Sequence, residues 1–298
     1  MRDPGQVALA ESAKWPDPGF EELLRTLLWE GYALYPYTRG TAKNATPTPF
    51  GIVYPPAYAA TVGAARDCLA LRGLAHAGAD AVLAAEVRFL QASGPRHQAI
   101  ERRVAFAPRP LAAIAAEPEQ QLFSDDGVDA VVRLSATGHE RGYAVELRVA
   151  NTTASWAVDC GRAEALGAGL LSTLPFMRLG AGRFASPLDP AEGIASENTF
   201  PVLATASDDT LLGATIVLPE HPQIAPESRG DLFDGTEIEE ALLLHVLALS
   251  DDERASIERD DPAVRAMIER AAAATPAEIL ALHGRMTLTD PHTQEAAP

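Results

Sequence analysis

The groups in this chain that could carry chemistry are few and scattered. His221 and Glu227 flank the stretch HPQIAPES, and His245 lies within LLLHVLAL. Two imidazoles and a carboxylate are the parts of a proton relay or a small-ligand site, provided the fold brings them together. The composition around the first two reads as a solvated loop between sheet and helices, and a histidine set among leucines reads as a core or interface residue. The two thiols, Cys68 and Cys160, are far apart in the chain, and no pair among them and the seven histidines has ligand spacing. A self-contained zinc or iron-sulfur site is therefore not expected, and neither is a bound cofactor. Each cysteine reads as a small buried hydrophobe.

Other chemistries fail on spacing. Neither the P-loop pattern nor the dinucleotide fingerprint occurs; GAGLL and LGAGRF come nearest, but both sit in strand-rich sequence with no helix following. A serine nucleophile elbow is also missing from the sequence. The chain holds 41 acidic residues, so neighbouring carboxylates arise by chance. Asp208-Asp209 reads as a turn and Asp251-Asp252 as a helix start, both places where backbone amides favour acids. Asn151-Thr152-Thr153 matches a glycosylation acceptor but reads more simply as a turn ending a strand.

What remains is surface for recognition. EGYALYPYTRGTAKNATPTPFGIVYPPAY, residues 30 to 58, holds five of the six tyrosines and prolines at 36, 47, 49, 55 and 56. Prolines remove donors and fix φ, so this segment is expected to be an extended arm with turns. Tyr32, Tyr35, Tyr37, Arg39, Lys43, Asn44, Phe50, Tyr54 and Tyr58 are its candidate partner-binding residues, because aromatic and cationic side chains anchor interfaces. The same arm could instead wrap its own domain and cover a sheet edge, and both roles stay open.

Charge narrows the partner. A formal net charge of -17 and a pI near 4.8 argue against nucleic acid, whose binding relies on clustered cations, and only two lysines occur. No run approaches the roughly 18 to 20 apolar residues needed to span a bilayer, and Met1 is followed by Arg2-Asp3-Pro4-Gly5 with no apolar leader, so a cytoplasmic protein is expected.

The elements that must position these residues fall into an α+β pattern. The first residues, to Pro18, read as loose. Phe20, Leu23, Leu24, Leu27 and Leu28 then form one helical stripe that Gly31 ends. Residues 1–58 are thus a tail, a helix and the arm. Residues 59–225 read as an antiparallel β-sandwich-like domain, with RDCLALRG, AVLAAEVRFL, ERRVAFAP, VDAVVRLSA, YAVELRVANTT, LGAGLLSTLPFM and LLGATIVLP as strands. In the fourth and fifth of these, Val132, Leu134 and Ala136 alternate with Val131, Arg133 and Ser135, and Val145, Leu147 and Val149 with Glu146 and Arg148, which predicts a hairpin with one wet face. No helical pattern of ten or more residues separates the strands, which excludes a parallel βαβ fold. Residues 226–290 read as four short helices, opened by capping boxes at Thr236/Glu239 and Ser250/Glu253 and by Asp261-Pro262 and Thr275-Pro276. Gly284 closes the last, and 291–298 read as a disordered tail.

In order, EGYALYPYTRGTAKN with FGIVYPPAY, RDCLALRG before EVRFL, SPLDP, and HPQIAPESRGDLFDGTEIEEALLLHVLALSDDE make the chain resemble a bacterial, mainly actinobacterial, protein family encoded beside nickel-iron hydrogenase structural and maturation genes. The resemblance runs from about residue 20 to about residue 270, with APESRGDLFDGTEIEE its most specific portion. The arm departs from the family pattern, which continues YPY with Arg-Pro-Ser and carries basic and Trp residues before Phe-Gly. Here Thr38-Arg39-Gly40 and Ala45-Thr46-Pro47-Thr48-Pro49 stand instead.

The resemblance implies an accessory role, with hydrogenase subunits or maturation factors as protein partners. The chain lacks the thiolates a hydrogenase subunit needs for nickel, iron or clusters, and it lacks the P-loop of a maturation GTPase. The expectation is a non-catalytic scaffold or assembly partner. The alternative is an enzyme or small-molecule binder with a site between the β domain and the C-terminal helices, using His221, Glu227 and His245. A homo-oligomer formed through the apolar LLLHVLAL helix is a third possibility.

Overall fold

The computed structural model describes residues 15–29, 50–93, 99–154 and 161–224, together with 248–252, 265, 269, 272, 273 and 275–277. Its framework is two five-stranded antiparallel sheets. The first has strand order β4-β5-β6-β1-β8 and the second β3-β2-β7-β10-β9. In chain order the strands are β1 (Cys68–His76), β2 (Val82–Ala92), β3 (Ala99–Pro110), β4 (Glu119–Asp125), β5 (Val128–His139), β6 (Gly142–Asn151), β7 (Leu171–Leu179), β8 (Arg183–Phe184), β9 (Phe200–Leu203) and β10 (Thr210–Ala214). The helices among the described residues are α1 (Pro18–Trp29), α2 (Pro56–Thr61), α3 (Leu111–Ala116) and α4 (Arg162–Gly167). The expected antiparallel sheet is therefore present, and each of the seven segments read as strands contributes to it. Among the described residues no helix is long and apolar enough to cross a membrane.

The main core lies between the sheets. Leu69 and Leu71 of β1, Val132 and Leu134 of β5, and Val145, Leu147 and Val149 of β6 meet Leu83, Val87 and Phe89 of β2 and Leu211 of β10. Arg133 stays exposed, so the predicted hairpin has its wet face. Side-chain alternation produces this result because one face of each strand finds apolar partners and the other finds water. Gly73 sits in the same core, and a Cβ there would come within 2.5 Å of a Leu211 methyl. At the hairpin turn, Gly142 adopts φ +140°, and a Cβ there would lie 2.1 Å from the Ala75 carbonyl oxygen. Only a residue without a side chain lets the turn close this tightly against β1.

A second apolar layer lies on the outer face of the second sheet. Phe20, Leu23, Leu24, Leu27 and Leu28 of α1 pack on Leu90, Leu174, Phe176, Val202 and Leu212, so the whole predicted stripe is buried. Burying each such side chain contributes about 1.5–3 kcal/mol relative to exposure. Asp17 starts the helix: its Oδ1 accepts hydrogen bonds from the Gly19 and Phe20 amides at 3.0 and 3.1 Å. The chain before Pro18 is not loose at Trp15, whose ring packs edge-on to Phe176, centroids 5.2 Å apart, and lies 6.3 Å from Phe20. A Trp placed just ahead of a capped helix closes the first turn much as a hydrophobic staple does.

One buried cation fastens α1 to the sheet. Arg88 of β2 is 1% exposed. Its guanidinium donates to Glu86 at 2.6 Å and makes a two-pronged pair with Glu21 of α1 at 2.6 and 2.8 Å. The Phe176 ring lies beneath it, 5.5 Å from the guanidinium carbon. Glu101 stands 3.8 Å away, and burial pushes its carboxyl above the ordinary range against the pull of Arg88.

The sheet edges are closed by particular devices. On β9, Pro201 has no amide hydrogen to offer, and the Leu203 carbonyl accepts from the His221 amide at 2.7 Å. On β3, Arg102, Arg103 and Arg109 place charges along the strand, and Gln121 of β4 donates to the Ala105 carbonyl at 2.8 Å.

Several elements differ from expectation. β4 was not expected, because EQQLFSD is polar and leaves Leu122 exposed. Its signal is the Asp126-Gly127 pair, both at positive φ, 43° and 78°, the two-residue turn that joins antiparallel strands. β8, β9, α3 and α4 are too short to show periodicity. α2 corrects the end of the arm, since Tyr58 lies on a helix that Pro56 opens at its first position, where a fixed φ suits a helix. In the C-terminal segment Asp251, Asp252, Pro276 and Ala277 are helical, at two of the four expected starts. The rest of that module, including the LLLHVLAL helix, and the 291–298 tail lie outside the described residues.

Candidate functional site

Two places gather candidate residues, and the first is the root of the arm. The Ser172 amide donates to the Phe50 carbonyl at 3.1 Å and the Thr173 amide to that of Gly51 at 3.0 Å. Val53 and Leu170 exchange both backbone bonds, at 2.9 and 3.0 Å, and the Tyr54 amide reaches the Arg66 carbonyl at 2.8 Å. Buried Asn151 completes the attachment. Its Nδ2 donates to the Val53 and Ala168 carbonyls at 3.1 and 2.8 Å, and its Oδ1 accepts from the Thr153 amide at 2.9 Å. The side chain is consumed by strand-ending structure, as the turn reading expects. Gly51, at φ +56°, lies so close to Thr215 that a Cβ would come within 2.5 Å of its methyl. Over 50–54, then, the arm wraps its own domain.

Its aromatic side chains remain partly outside. The Tyr54 and Tyr58 rings lie 5.0 Å apart at 33°, and Phe50 is 38% exposed. Two further exposed apolar residues belong to the same end of the second sheet. Phe200, 49% exposed, lies opposite Ala214 in the β9–β10 ladder, and Val217, 76% exposed, follows Thr215, which abuts Gly51. Neither was expected from the sequence. Tyr32, Tyr35, Tyr37, Arg39, Lys43 and Asn44 lie outside the described residues, as do Glu227, His245 and Cys160.

The second place is a cleft of about 670 Å³ between the start of α1, β7, the β9–β10 turn and the 221–224 segment. Trp15, Phe20, Leu23 and Ile224 supply apolar wall, while Asp17, Glu22, Arg178, Thr205, Asp209 and His221 supply polar groups. His221 is thus part of a cleft wall and not of an open loop. Its backbone, at φ 55°, faces the Asp208 turn at φ 56°, and its Nε2 donates to Asp208 Oδ1 at 2.8 Å. Arg178 follows Phe176 on the outer face of β7, and its Nε reaches Asp209 Oδ2 at 3.3 Å. Trp15 Nε1 is buried and has no acceptor among the described residues. Trp15, Arg178 and Asp209 went unnoticed in the sequence. The traces are a Trp just before the helix cap and an Arg in period-two alternation with Phe176.

Asp209 organises the floor of this cleft. Burial pushes its carboxyl up, but hydrogen bonds from the Thr205 and Thr210 hydroxyls, at 2.7 and 2.8 Å, and the Arg178 charge outweigh it and hold the group below its ordinary value. The folded-state value is lower than the unfolded one. Asp209 therefore contributes stability that is complete above about pH 3.8 and vanishes as pH falls through the folded-state value. Asp209→Asn is expected to lower stability at pH 7 by about 1–3 kcal/mol. It is also expected to flatten the fall of the thermal midpoint between about pH 4 and pH 2. Melting curves for the two proteins across that range check this, and parallel pH profiles would refute it.

Cys68 behaves as the small-hydrophobe reading expects, with one addition. Burial pushes its thiol up to about 11, although Arg148 Nη2 donates to the sulfur at 2.9 Å. Arg148 also donates to Glu197, and this bond holds the Glu197 carboxyl below the usual range against the effect of burial. A thiol kept protonated at neutral pH is a poor nucleophile and a poor metal ligand. Among the described residues no three His, Cys, Asp or Glu side chains stand together as a metal site would require. Comparison of the chain with models of protein families and with curated proteins returns no match.

Proposed function

We propose that this protein is a non-catalytic accessory protein that binds a protein partner, and that the partner is a subunit or maturation factor of a nickel-iron hydrogenase system. The observation that carries the binding role is the arm root. A backbone pinned by five hydrogen bonds at Phe50–Tyr54 holds partly exposed aromatic residues beside Phe200 and Val217 on a rigid sheet end. A clustered apolar surface on a fixed scaffold is what a protein interface uses, since little side-chain entropy is lost on docking. The hydrogenase context comes from the sequence resemblance alone.

Affinity purification of the tagged chain from cells that make a hydrogenase tests both parts. Hydrogenase components are expected to co-purify with the native chain. The double variant Phe50→Ser, Phe200→Ser is expected to retain them at least tenfold more weakly, as for loss of an interface anchor, with an unchanged melting temperature. A native chain that brings down no hydrogenase component would defeat the proposed context.

A second reading, a small-molecule binder, is favoured by the cleft beside α1. Its volume and its mixture of apolar wall with a few converging polar groups are those of a ligand site.

A further inference from the structure

We propose that the cleft beside α1 binds a small zwitterion with an apolar body, such as an amino acid or a short peptide; this rests on the small-molecule reading above. Two donors in its lining call for an acceptor. Trp15 Nε1 is buried without a partner among the described residues, and a buried unpaired donor is costly enough that a bound acceptor is strongly favoured. Arg178 is tied to Asp209 through Nε, so its two terminal nitrogens stay available to a carboxylate.

Charge decides against a simple anion. Asp17, Glu22 and Asp209 line the cleft with Arg178 as the balancing guanidinium, and the chain as a whole carries -17. Asp209 is satisfied by Arg178 and two threonine hydroxyls, and Asp17 spends Oδ1 on the helix cap. Glu22 and the second oxygen of Asp17 are left on the rim, where an ammonium fits. A purely cationic ligand would leave Trp15 and Arg178 unanswered, and a purely anionic one would face the carboxylates. A zwitterion meets both sets, with its apolar body against Phe20, Leu23 and Ile224.

Calorimetric titration of the full chain with L-leucyl-L-leucine tests this, with N-acetyl-leucine as the acid-only probe and leucinamide as the cation-only probe. The dipeptide is expected to bind with a Kd of about 1 mM or tighter, and each analogue at least about tenfold more weakly. Trp15→Phe and Arg178→Gln are each expected to weaken the dipeptide about tenfold. Glu22→Gln, at an exposed helix position, leaves the packing intact and is expected to weaken the dipeptide but not N-acetyl-leucine. An analogue binding as tightly as the dipeptide would overturn the zwitterion class and keep the small-molecule reading. No binding by any probe at about 10 mM would overturn both.

Discussion

Replacing Arg88 by Ala is expected to destabilise the protein by about 3–5 kcal/mol, the cost of breaking a buried ion pair from one side. Arg88 is 1% exposed and faces three carboxylates, Glu21, Glu86 and Glu101. Without the guanidinium those charges repel one another around a cavity, and the flat contact on Phe176 is lost as well. The damage should concentrate on α1, because Glu21 is the helix side of the clamp. Glu21→Gln is expected to cost less, about 1–2 kcal/mol, since Glu21 is partly exposed and Arg88 keeps Glu86 as a partner. Urea unfolding of the three proteins measures both differences. Equal stabilities for Arg88→Ala and the native chain would show that apolar packing alone holds α1. The test bears on function because α1 and Trp15 form one wall of the cleft.

Asn151→Ala carries the next largest expected loss, about 3 kcal/mol. The truncation strands the Val53 and Ala168 carbonyls and the Thr153 amide inside the protein, where water cannot replace the amide. Val53 is the point at which the arm exchanges backbone bonds with Leu170, so the root of the arm should loosen first. Limited proteolysis is expected to cut near residues 50–58 several-fold faster in the variant. Unchanged cleavage alongside unchanged unfolding would show that the backbone bridge suffices without the side chain.

Elements with a strong apolar period were legible in the sequence. The α1 stripe, the β5–β6 hairpin and the seven strand segments all depend on alternation or on three-and-four spacing, which local residues alone specify. Expectation missed where the determining contact is distant. Pro55-Pro56 read as the end of an extended arm, although Pro56 starts α2. Trp15 read as loose tail because its partner, Phe176, is far along the chain. Of the three small-molecule candidates, His221 is found in a cleft wall, while its neighbours there, Trp15, Arg178 and Asp209, were invisible as a group.

By itself the sequence determined the antiparallel class, the buried face of each long element, the helix starts and the acidic surface, because hydrophobic period, capping chemistry and charge are local properties. Only the tertiary structure decided that the arm's last residues are built into the sandwich through Asn151. It alone showed that Arg88 is buried against α1 and that a cleft opens beside Asp209. Each of these joins residues separated by long stretches of chain, and such a meeting depends on how the two sheets and the helix pack, which no local pattern encodes.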